Sequence, residues 1–397
     1  MKTIRIALIW RIIIAAGLGV ALGNCLPGGV VRVFVTFNAI FSQFINFLVP
    51  LIIVGLVTPA IFRLGIGAGR LLLGTVVIAY TSTIVAGLFS YGVSSHFFPM
   101  LIDQGTVASI DGTEIVADPF FSLEIPPLLG VMTALVLAFL LGIFLNIVGG
   151  KTLEKMFCEL EQVIILAISR ILIPLLPIYI FGLFLKMTHT GEAIPVLSMF
   201  AKVIVIIFVL CLVYILVIFV LAGLVSRRNP LKALLHMLTA YVTALGTSSS
   251  AATIPVTLEQ VKKCGVRSEI ANFTIPLCAT IHLPGSTIKI VACSVAVMII
   301  QGHPLNLATF VGFILLLAIT MVAAPGVPGG AIMAALGVLA SSLGFGETDQ
   351  ALMIALYIVM DSFGTACNVT CDGAITMMID RFASPISETT AVTSERK

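Results

Sequence analysis

Charged side chains are scarce in this 397-residue sequence, since Asp, Glu, Lys and Arg together make up only 10% of it, whereas hydrophobic residues make up 59%. A soluble domain usually has about 25% charged residues. The polar surface available here is too small to cover a water-soluble protein of this size. The shortage therefore excludes a soluble enzyme, a disordered chain and a nucleic-acid binder. The net charge of +3 is also too small to indicate an anionic partner.

Motifs that carry common chemistry are missing as well. The eight cysteines contain no C-x-x-C pair, which argues against a structural zinc site or a disulfide framework. The sequence has no G-x-S-x-G and no H-E-x-x-H motif, and its serine cluster has no obvious general base nearby. We therefore expect no enzymatic activity and no cofactor.

What the sequence does contain is a series of long apolar segments, and its mean hydropathy is +1.19. A membrane-spanning helix needs roughly 20 apolar residues. Eight such segments predict an all-α polytopic membrane protein, with spans at residues 6–26, 33–62, 71–98, 127–148, 163–185, 196–225, 273–300 and 350–380.

Two further apolar stretches, 236–258 and 306–345, are interrupted near their middles by small polar residues, glycine or proline. The interruptions fall at 247–255 and 323–330. Irregular backbone at membrane depth is tolerated only where it is buried in protein or lines a water-filled cavity. These two stretches therefore predict re-entrant helical hairpins that do not cross the membrane.

Charged residues between the segments predict the orientation in the membrane. The loop 100–128 contains five acidic residues and no Lys or Arg, which places it outside. The basic clusters of the other loops all fall on the opposite side only if there are eight spans and each hairpin returns to its own side. Both termini are then cytoplasmic, and the short loops are typical of a prokaryotic inner (plasma) membrane protein.

The last third of the chain has an internal symmetry, because a hairpin plus a span at 236–300 is followed by a hairpin plus a span at 306–380. The two units enter from opposite sides, so they are predicted to be inverted repeats. Interrupted segments at matching places in two repeats indicate a transport site near the middle of the membrane. We therefore predict six spans in 1–235, a transport core in 236–382 and a cytoplasmic tail in 383–397.

The final span contains a polar stripe. Asp361, Thr365, Asn368 and Asp372 are spaced four, three and four residues apart, which places them on one face of a helix. Ionisable residues inside an apolar span usually mark the path of an ion or a substrate. The alternative is that Asp372 lies near the membrane surface and is simply solvated. A buried carboxylate is suited to a substrate ammonium group or to a hard cation.

Together these motifs resemble the dicarboxylate/amino acid:cation symporter family, the glutamate transporter homologues, most clearly over residues 240–380. The serine-rich tip at 247–255 resembles the first hairpin of the family, Gly326-Val327-Pro328-Gly329 resembles the second, and Asn368-Val369-Thr370-Cys371-Asp372 resembles the signature of the last span. The resemblance implies the fold of that family and sodium-coupled symport of an amino acid by a homotrimer in the lipid bilayer. It further implies a trimer scaffold of spans 1, 2, 4 and 5, whereas spans 3 and 6 join the mobile transport domain.

The resemblance also implies roles for individual residues. For the substrate, these are Asp361 on the ammonium group, Asn368, Ser249 and Ser250 on the α-carboxylate, and Val327 and Gly329 in the tip that closes over it. One sodium site would be formed by Asp372 with the main-chain oxygens of Cys278, His282 and Asn368. A second sodium site would lie near Thr280 and the second hairpin. Because most of the ion ligands are main-chain oxygens, their side chains carry little information.

Two departures from the family pattern concern the substrate. Acidic-substrate members carry an arginine where this chain has Gly364, and a helper arginine where it has Ser248 or Ser362. The side-chain end of the pocket should therefore be neutral, lined by Ser286, Thr365 and glycine backbone, because a buried carboxylate without a cationic partner is strongly disfavoured. This favours a small neutral substrate such as serine, threonine or alanine, as in the serine/threonine members of the family.

Three other positions, 284, 289 and 282, leave alternatives open. Pro284 replaces an aspartate that would help to form a third sodium site. Lys289 either supplies a missing cation or pairs with a carboxylate for structure, and His282 is either a protonation site or a packed histidine. The alternative function is a dicarboxylate or acidic amino acid symporter coupled to protons, which sodium-independent and pH-sensitive uptake would favour. An ion channel is disfavoured because the site lies within one chain and not among symmetric subunits.

Overall fold

The computed structural model describes residues 8–64, 70–102, 118–191, 193–322, 324 and 328–383. Throughout those ranges every regular element is helical, so the predicted all-α class is confirmed. Val327, residues 103–117 of the acidic loop and residues 384–397 of the predicted tail lie outside the described residues.

Most of the helices follow one another along the chain with short connections, and the longest connection lies between α3 and α4. In the first half of the described chain they are α1 (Leu8–Leu22), α2 (Gly28–Leu64), α3 (Arg70–Phe97), α4 (Val131–Val148), α5 (Lys151–Ala167), α6 (Ile173–His189) and α7 (Ala193–Ser226). A π-helical turn at Ile168–Leu172 makes α5 and α6 continuous. In the second half they are α8 (Pro230–Thr247), α9 (Ser250–Lys263), α10 (Ser268–Ile281), α11 (Pro284–Ile300), α12 (Leu307–Val322), α13 (Gly330–Leu343), α14 (Glu347–Val359) and α15 (Asp361–Phe382).

Several of these helices are suited to a membrane. Among the described residues, five helical segments are long and apolar enough to cross one, namely Gly28–Pro59, Leu71–Met100, Lys151–His189, Ala193–Ser226 and Ser268–Ile300. They coincide with predicted spans 2, 3, 5, 6 and 7. Predicted spans 1 and 4 correspond to the shorter apolar helices α1 and α4, and span 8 corresponds to α14 and α15, which are bent by 64°. The chain is therefore a multi-pass membrane protein.

The predicted spans differ from the helices mainly at their ends and breaks. The seventh span begins at Ser268, and its helix is interrupted at 282–283. The proline that follows stands in the first turn of α11, where a residue without an N–H group is tolerated. The eighth span is interrupted at Met360, and the first helix pair extends beyond 236–258 at both ends. Hydropathy misses these details because the breaks are short and the helix ends carry polar residues.

Two helix pairs occupy the regions predicted as hairpins. α8 packs against α9, and Ser248 between them has a left-handed backbone conformation with a φ of 50°. Ser249 caps α9 by accepting a hydrogen bond from the backbone N–H of Ala252 at 3.3 Å. α12 packs against α13, which follows Gly329 with a φ of 75°. Glycine suits this position because a side chain is strained at positive φ.

The core of the second half surrounds α15. This helix packs against α7, α8, α9, α10 and α11, and every residue of α11 is buried. A separate set of contacts joins α1 to α6, and α2 to α4, α5 and α6. The outward side of α7, by contrast, exposes apolar side chains such as Val205, Val209, Val213 and Val217. An apolar helix face of this kind is typical of contact with lipid.

The second helix pair meets α2 across an aliphatic boundary. The side chains that face one another there are Ile52, Ile53, Leu56 and Val57 of α2, Thr320 of α12 and Ala334 of α13. Thr320 donates its hydroxyl to the main-chain oxygen of Leu316 in its own helix at 2.9 Å. This part of the contact with α2 is therefore apolar apart from Thr320.

Two arginines fix the end of α15. Asp380 accepts hydrogen bonds from Nη2 of Arg228 at 2.6 Å and from Nε of Arg267 at 2.7 Å. Arg267 also donates to the main-chain oxygens of Asp380 and Ala383. These bonds join the end of α15 to the connections on either side of the first helix pair.

Candidate functional site

The beginning of α15 meets the tips of both helix pairs and the break between α10 and α11. A cavity of about 30 Å³ lies at this meeting point. Its polar lining includes Ser248, Ser250, Ser286, Tyr357, Asp361, Thr365 and Asn368. The structure therefore brings together most of the predicted substrate residues. This small volume leaves no room for an amino acid among the side chains in this conformation.

Asp361 binds the tip of the second helix pair. One oxygen of its carboxylate accepts the backbone N–H of Gly329 at 2.8 Å, and the other lies 3.3 Å from Nζ of Lys289. One turn later, Thr365 donates its hydroxyl to the main-chain oxygen of Asp361 at 2.9 Å. The predicted proximity of Asp361 and Gly329 is thus present, whereas Val327 lies outside the described residues.

Lys289 of α11 is fully buried, and three groups surround its ammonium. Besides Asp361, these are the main-chain oxygen of Met360 at 3.4 Å and the ring of Tyr357, whose centroid is 3.7 Å from Nζ. A Cβ atom on Gly364 would come within 2.2 Å of Cε of the lysine. Of the alternatives that the sequence left open, the structure therefore has the lysine paired with a carboxylate.

Asn368 fixes the start of α11. Its Oδ1 accepts the backbone N–H groups of Gly285 at 2.8 Å and Ser286 at 3.3 Å, which lie in the first turn and lack partners within the helix. Its Nδ2 donates to Oγ of Ser286 at 3.1 Å, and Tyr357 donates to the same oxygen at 3.0 Å. Sequence reasoning missed Tyr357, which stands four residues before Asp361 but lies in α14, on the other side of the break at Met360.

The first tip approaches α15 through serine hydroxyls. Oγ of Ser248 lies 2.7 Å from Oγ of Ser362. Ser250 lines the cavity, whereas Ser249 is not among the lining residues and instead caps α9. The two positions considered for a helper arginine thus hold a neutral pair of hydroxyl groups in contact.

Asp372 lies further along α15 and is 1% exposed, which argues against the alternative in which it is solvated at the membrane surface. Its Oδ1 lies 2.8 Å from Nδ1 of His282, and Nε2 of the same ring lies 3.0 Å from Oγ of Ser82 on α3. The sequence predicted the main-chain oxygen of His282 as an ion ligand, but here its side chain engages the carboxylate. Ser82 was missed because its local sequence resembles that of other serines in the spans.

The other predicted ion ligands make ordinary helix contacts in this conformation. The main-chain oxygen of Cys278 accepts the N–H of His282 at 2.9 Å. Thr280 is exposed, and its hydroxyl donates to the main-chain oxygen of Leu277 at 2.8 Å. In the part of the chain that is described, no group of three or more His, Cys, Asp or Glu side chains is arranged to hold a metal ion.

Comparison with known proteins gives the same picture over almost the whole chain. The model of the sodium:dicarboxylate symporter family matches residues 8–382. The serine/threonine transporter SstT of Acinetobacter baumannii (strain AYE) is 28% identical over 395 residues, which cover 95% of this chain and 97% of the relative. The neutral amino acid transporter B(0) of Rattus norvegicus is 29% identical over 170 residues, which cover 42% of this chain and 30% of the relative.

These relatives are transporters and not enzymes, as the absence of catalytic motifs from the sequence predicted. The family match covers the cavity, both helix pairs and the polar stripe of the last span. It also covers all of the apolar helices that are suited to a membrane. The chain therefore belongs to the sodium:dicarboxylate symporter family.

Proposed function

We propose that the chain carries a small neutral amino acid, such as serine, threonine or alanine, across a prokaryotic cell membrane together with sodium. The observation that carries this proposal is the charge of the cavity. Among the described residues that line it, Asp361 alone is charged, and hydroxyl and amide groups supply the rest of the polar lining. The names of the relatives, a serine/threonine transporter and a neutral amino acid transporter, support the same substrate class.

A zwitterionic amino acid fits this lining chemically. Its ammonium group would bind Asp361, and its carboxylate would bind Asn368, Ser250 and N–H groups in the first turn of α9. Its side chain would then face Ser286 and Thr365. An acidic side chain would add an unbalanced negative charge to the buried site, because the charges of Lys289 and Asp361 already balance each other.

The substrate would enter by opening of the second tip. A cavity of about 30 Å³ is too small for an amino acid, and the N–H of Gly329 bonds to the carboxylate that would receive the ammonium group. Separation of this tip from α15 would both enlarge the cavity and free one oxygen of Asp361. We therefore infer that the second tip is the gate of the site.

For the coupling ion we infer a sodium site at Asp372, because a buried carboxylate suits a hard cation. His282 contacts the same carboxylate at 2.8 Å, so the ion and the imidazole would share it. Cys278, Asn368 and Thr280 remain the further proposed sources of oxygen ligands.

For the architecture we infer eight spans and two re-entrant hairpins in inverted repeats, with both termini cytoplasmic. The helices α1, α2, α4, α5 and α6 would form the scaffold of a homotrimer. The remaining helices would form a transport core that crosses the membrane by alternating access. The contacts support this division, since the scaffold helices pack mainly among themselves and α15 packs against α7 to α11.

Uptake by the purified protein in proteoliposomes tests the proposed function. Labelled serine is supplied with an inward sodium gradient, with equal sodium on both sides, and with a pH gradient in the absence of sodium. We expect accumulation only with the sodium gradient, and competition by unlabelled serine, threonine and alanine but not by aspartate, glutamate or succinate. Sodium-independent uptake that follows the pH gradient and is inhibited by acidic substrates would contradict the proposal and establish the alternative.

A further inference from the structure

Lys289 carries a buried positive charge for which the proposed binding of a neutral amino acid has no use. Its side chain is 0% exposed, and its Nζ lies 3.3 Å from the carboxylate of Asp361. A buried ammonium group is costly unless another charge balances it. The neighbouring helices accommodate it closely, because Gly364 leaves room for Cε and Nζ and the ring of Tyr357 lies against the ammonium group.

The contact of Gly329 with Asp361 and the ion pair between Asp361 and Lys289 occur in the same conformation. Both oxygens of Asp361 are then engaged by the protein itself, one by the N–H of Gly329 and the other by Lys289. The cavity of about 30 Å³ that remains has no room for an amino acid. The closed site therefore needs no added ligand to neutralise its carboxylate.

We propose that Lys289 is a resident cation that neutralises Asp361 whenever no substrate is bound, so that the empty transport core crosses the membrane without a counter-transported cation. This inference rests on the proposed function, because it assumes that Asp361 receives the substrate's ammonium group. An unpaired carboxylate would make the crossing of an empty site costly. The pair with Lys289 removes that net charge.

Substrate binding then replaces one ammonium group on Asp361 by another. When the carboxylate turns to the substrate, Lys289 keeps two of its partners, the main-chain oxygen of Met360 and the ring of Tyr357. A bound zwitterion leaves the net charge of the site unchanged, whereas an acidic amino acid adds a negative charge. The resident cation therefore also explains a preference for neutral substrates.

Net uptake and exchange separate this role from substrate binding. Net uptake requires the empty site to return, whereas exchange of labelled for unlabelled serine loads the site in both directions. In Lys289→Ala we expect net serine uptake to fall about tenfold or more, because the barrier to the empty crossing rises, while exchange stays close to that of the wild type. Lys232→Met, which removes an exposed lysine of α8, should change neither flux.

Chemical rescue distinguishes the charge of the lysine from its shape. Methylammonium should restore net uptake in Lys289→Ala, because it fits the space of the lost side chain and carries its charge, whereas tetramethylammonium is too large to do so. Lys289→Met is an independent route if the first variant does not fold. It keeps most of the length of the side chain and removes the charge that is paired with Asp361, and we expect the same loss of net uptake with exchange retained.

Three results would overturn the resident cation. The first is unchanged net uptake in both variants. The second is an equal loss of net uptake and exchange in a variant that serine still protects from thermal unfolding. The third is a loss of net uptake in Lys289→Ala that methylammonium does not restore. A wild-type protein that exchanges no amino acid would instead refute the proposed function itself.

Discussion

A Cβ atom added to Gly364 would lie 2.2 Å from Cε of Lys289 and 2.4 Å from its Nζ. The side chain of Lys289 therefore fills the space that a side chain at position 364 of the last span would take. The two positions, 289 and 364, are 75 residues apart in the sequence. A side chain at position 364 would therefore have to displace the lysine.

Moving the cation from α11 to α15 should change the substrate. In the double variant Lys289→Ala/Gly364→Arg, a guanidinium group replaces the ammonium and reaches the cavity from the position that acidic-substrate members of the family use. We expect aspartate to inhibit serine uptake by this variant but not by the wild type, because the guanidinium fork pairs with a side-chain carboxylate.

Gly364→Arg alone is the matched control for this substitution. Its side chain meets the lysine that still fills the space, so we expect little folded protein. A double variant that binds serine and remains insensitive to aspartate would refute the assignment of position 364 to the side-chain end of the pocket.

Asp361→Asn should abolish serine binding and also destabilise the protein. The variant leaves Lys289 buried without its ionic partner, which costs about 3–5 kcal/mol. In Asp361→Asn/Lys289→Met neither charge remains, so we expect the stability to recover while binding stays absent. Thermal unfolding in detergent with and without serine measures both quantities. Stabilisation of the double variant by serine would exclude Asp361 as the partner of the ammonium group.

Asp372→Asn should reduce the affinity for sodium and, with it, the affinity for serine, because the two equilibria are linked. The measurement is serine binding as a function of sodium concentration. Asp380→Asn is the control in the same helix, since that carboxylate binds Arg228 and Arg267. It should lower the stability but leave the sodium dependence unchanged. If the sodium dependence of Asp372→Asn equals that of the wild type, the ion binds elsewhere.

Gly285→Ala should destabilise the contact between α11 and α15. A Cβ atom there would lie 2.5 Å from the main-chain oxygen of Gly364 and 2.6 Å from Cβ of Cys367. Overpacking of this kind costs about 1–3 kcal/mol. Gly92→Ala in α3 is the control, because nothing lies within 4 Å of the added atom and alanine favours a helix.

A thiol-reactive dye gives the readout for this pair of glycine variants. Heating exposes the cysteines that are buried in the folded protein, namely Cys211, Cys278, Cys293, Cys367 and Cys371. We expect the dye to react at a lower temperature in Gly285→Ala and at the wild-type temperature in Gly92→Ala. Equal midpoints for the two variants would mean that α11 and α15 adjust to the added methyl group.

The polar stripe of the last span was predictable because a helix converts sequence spacing directly into a shared face. Asp361, Thr365 and Asn368 indeed line one cavity, and Asp372 is buried. The two helix pairs were also predictable, because glycine, proline and serine interrupt otherwise apolar runs. Both inferences depend on patterns within a single segment.

Contacts between distant segments were not predictable in this way. Lys289 and Asp361 are 72 residues apart, and His282 and Ser82 are 200 residues apart. No local spacing specifies which of several buried polar groups will meet. The bend at Met360 was missed for a different reason, since a hydropathy average over a whole span does not register a single residue that leaves the helix.

The aliphatic boundary between α2 and the second helix pair has a mechanical consequence. Dispersion contacts between methyl groups have no preferred register, unlike hydrogen bonds. If α12 and α13 shift along α2, as the proposed alternating access requires, each of these side chains would exchange one aliphatic neighbour for another, and the hydroxyl of Thr320 could stay bonded within its own helix. Such a movement would break no hydrogen bond among these side chains, and a polar side chain at Ile53 or Val57 would slow it.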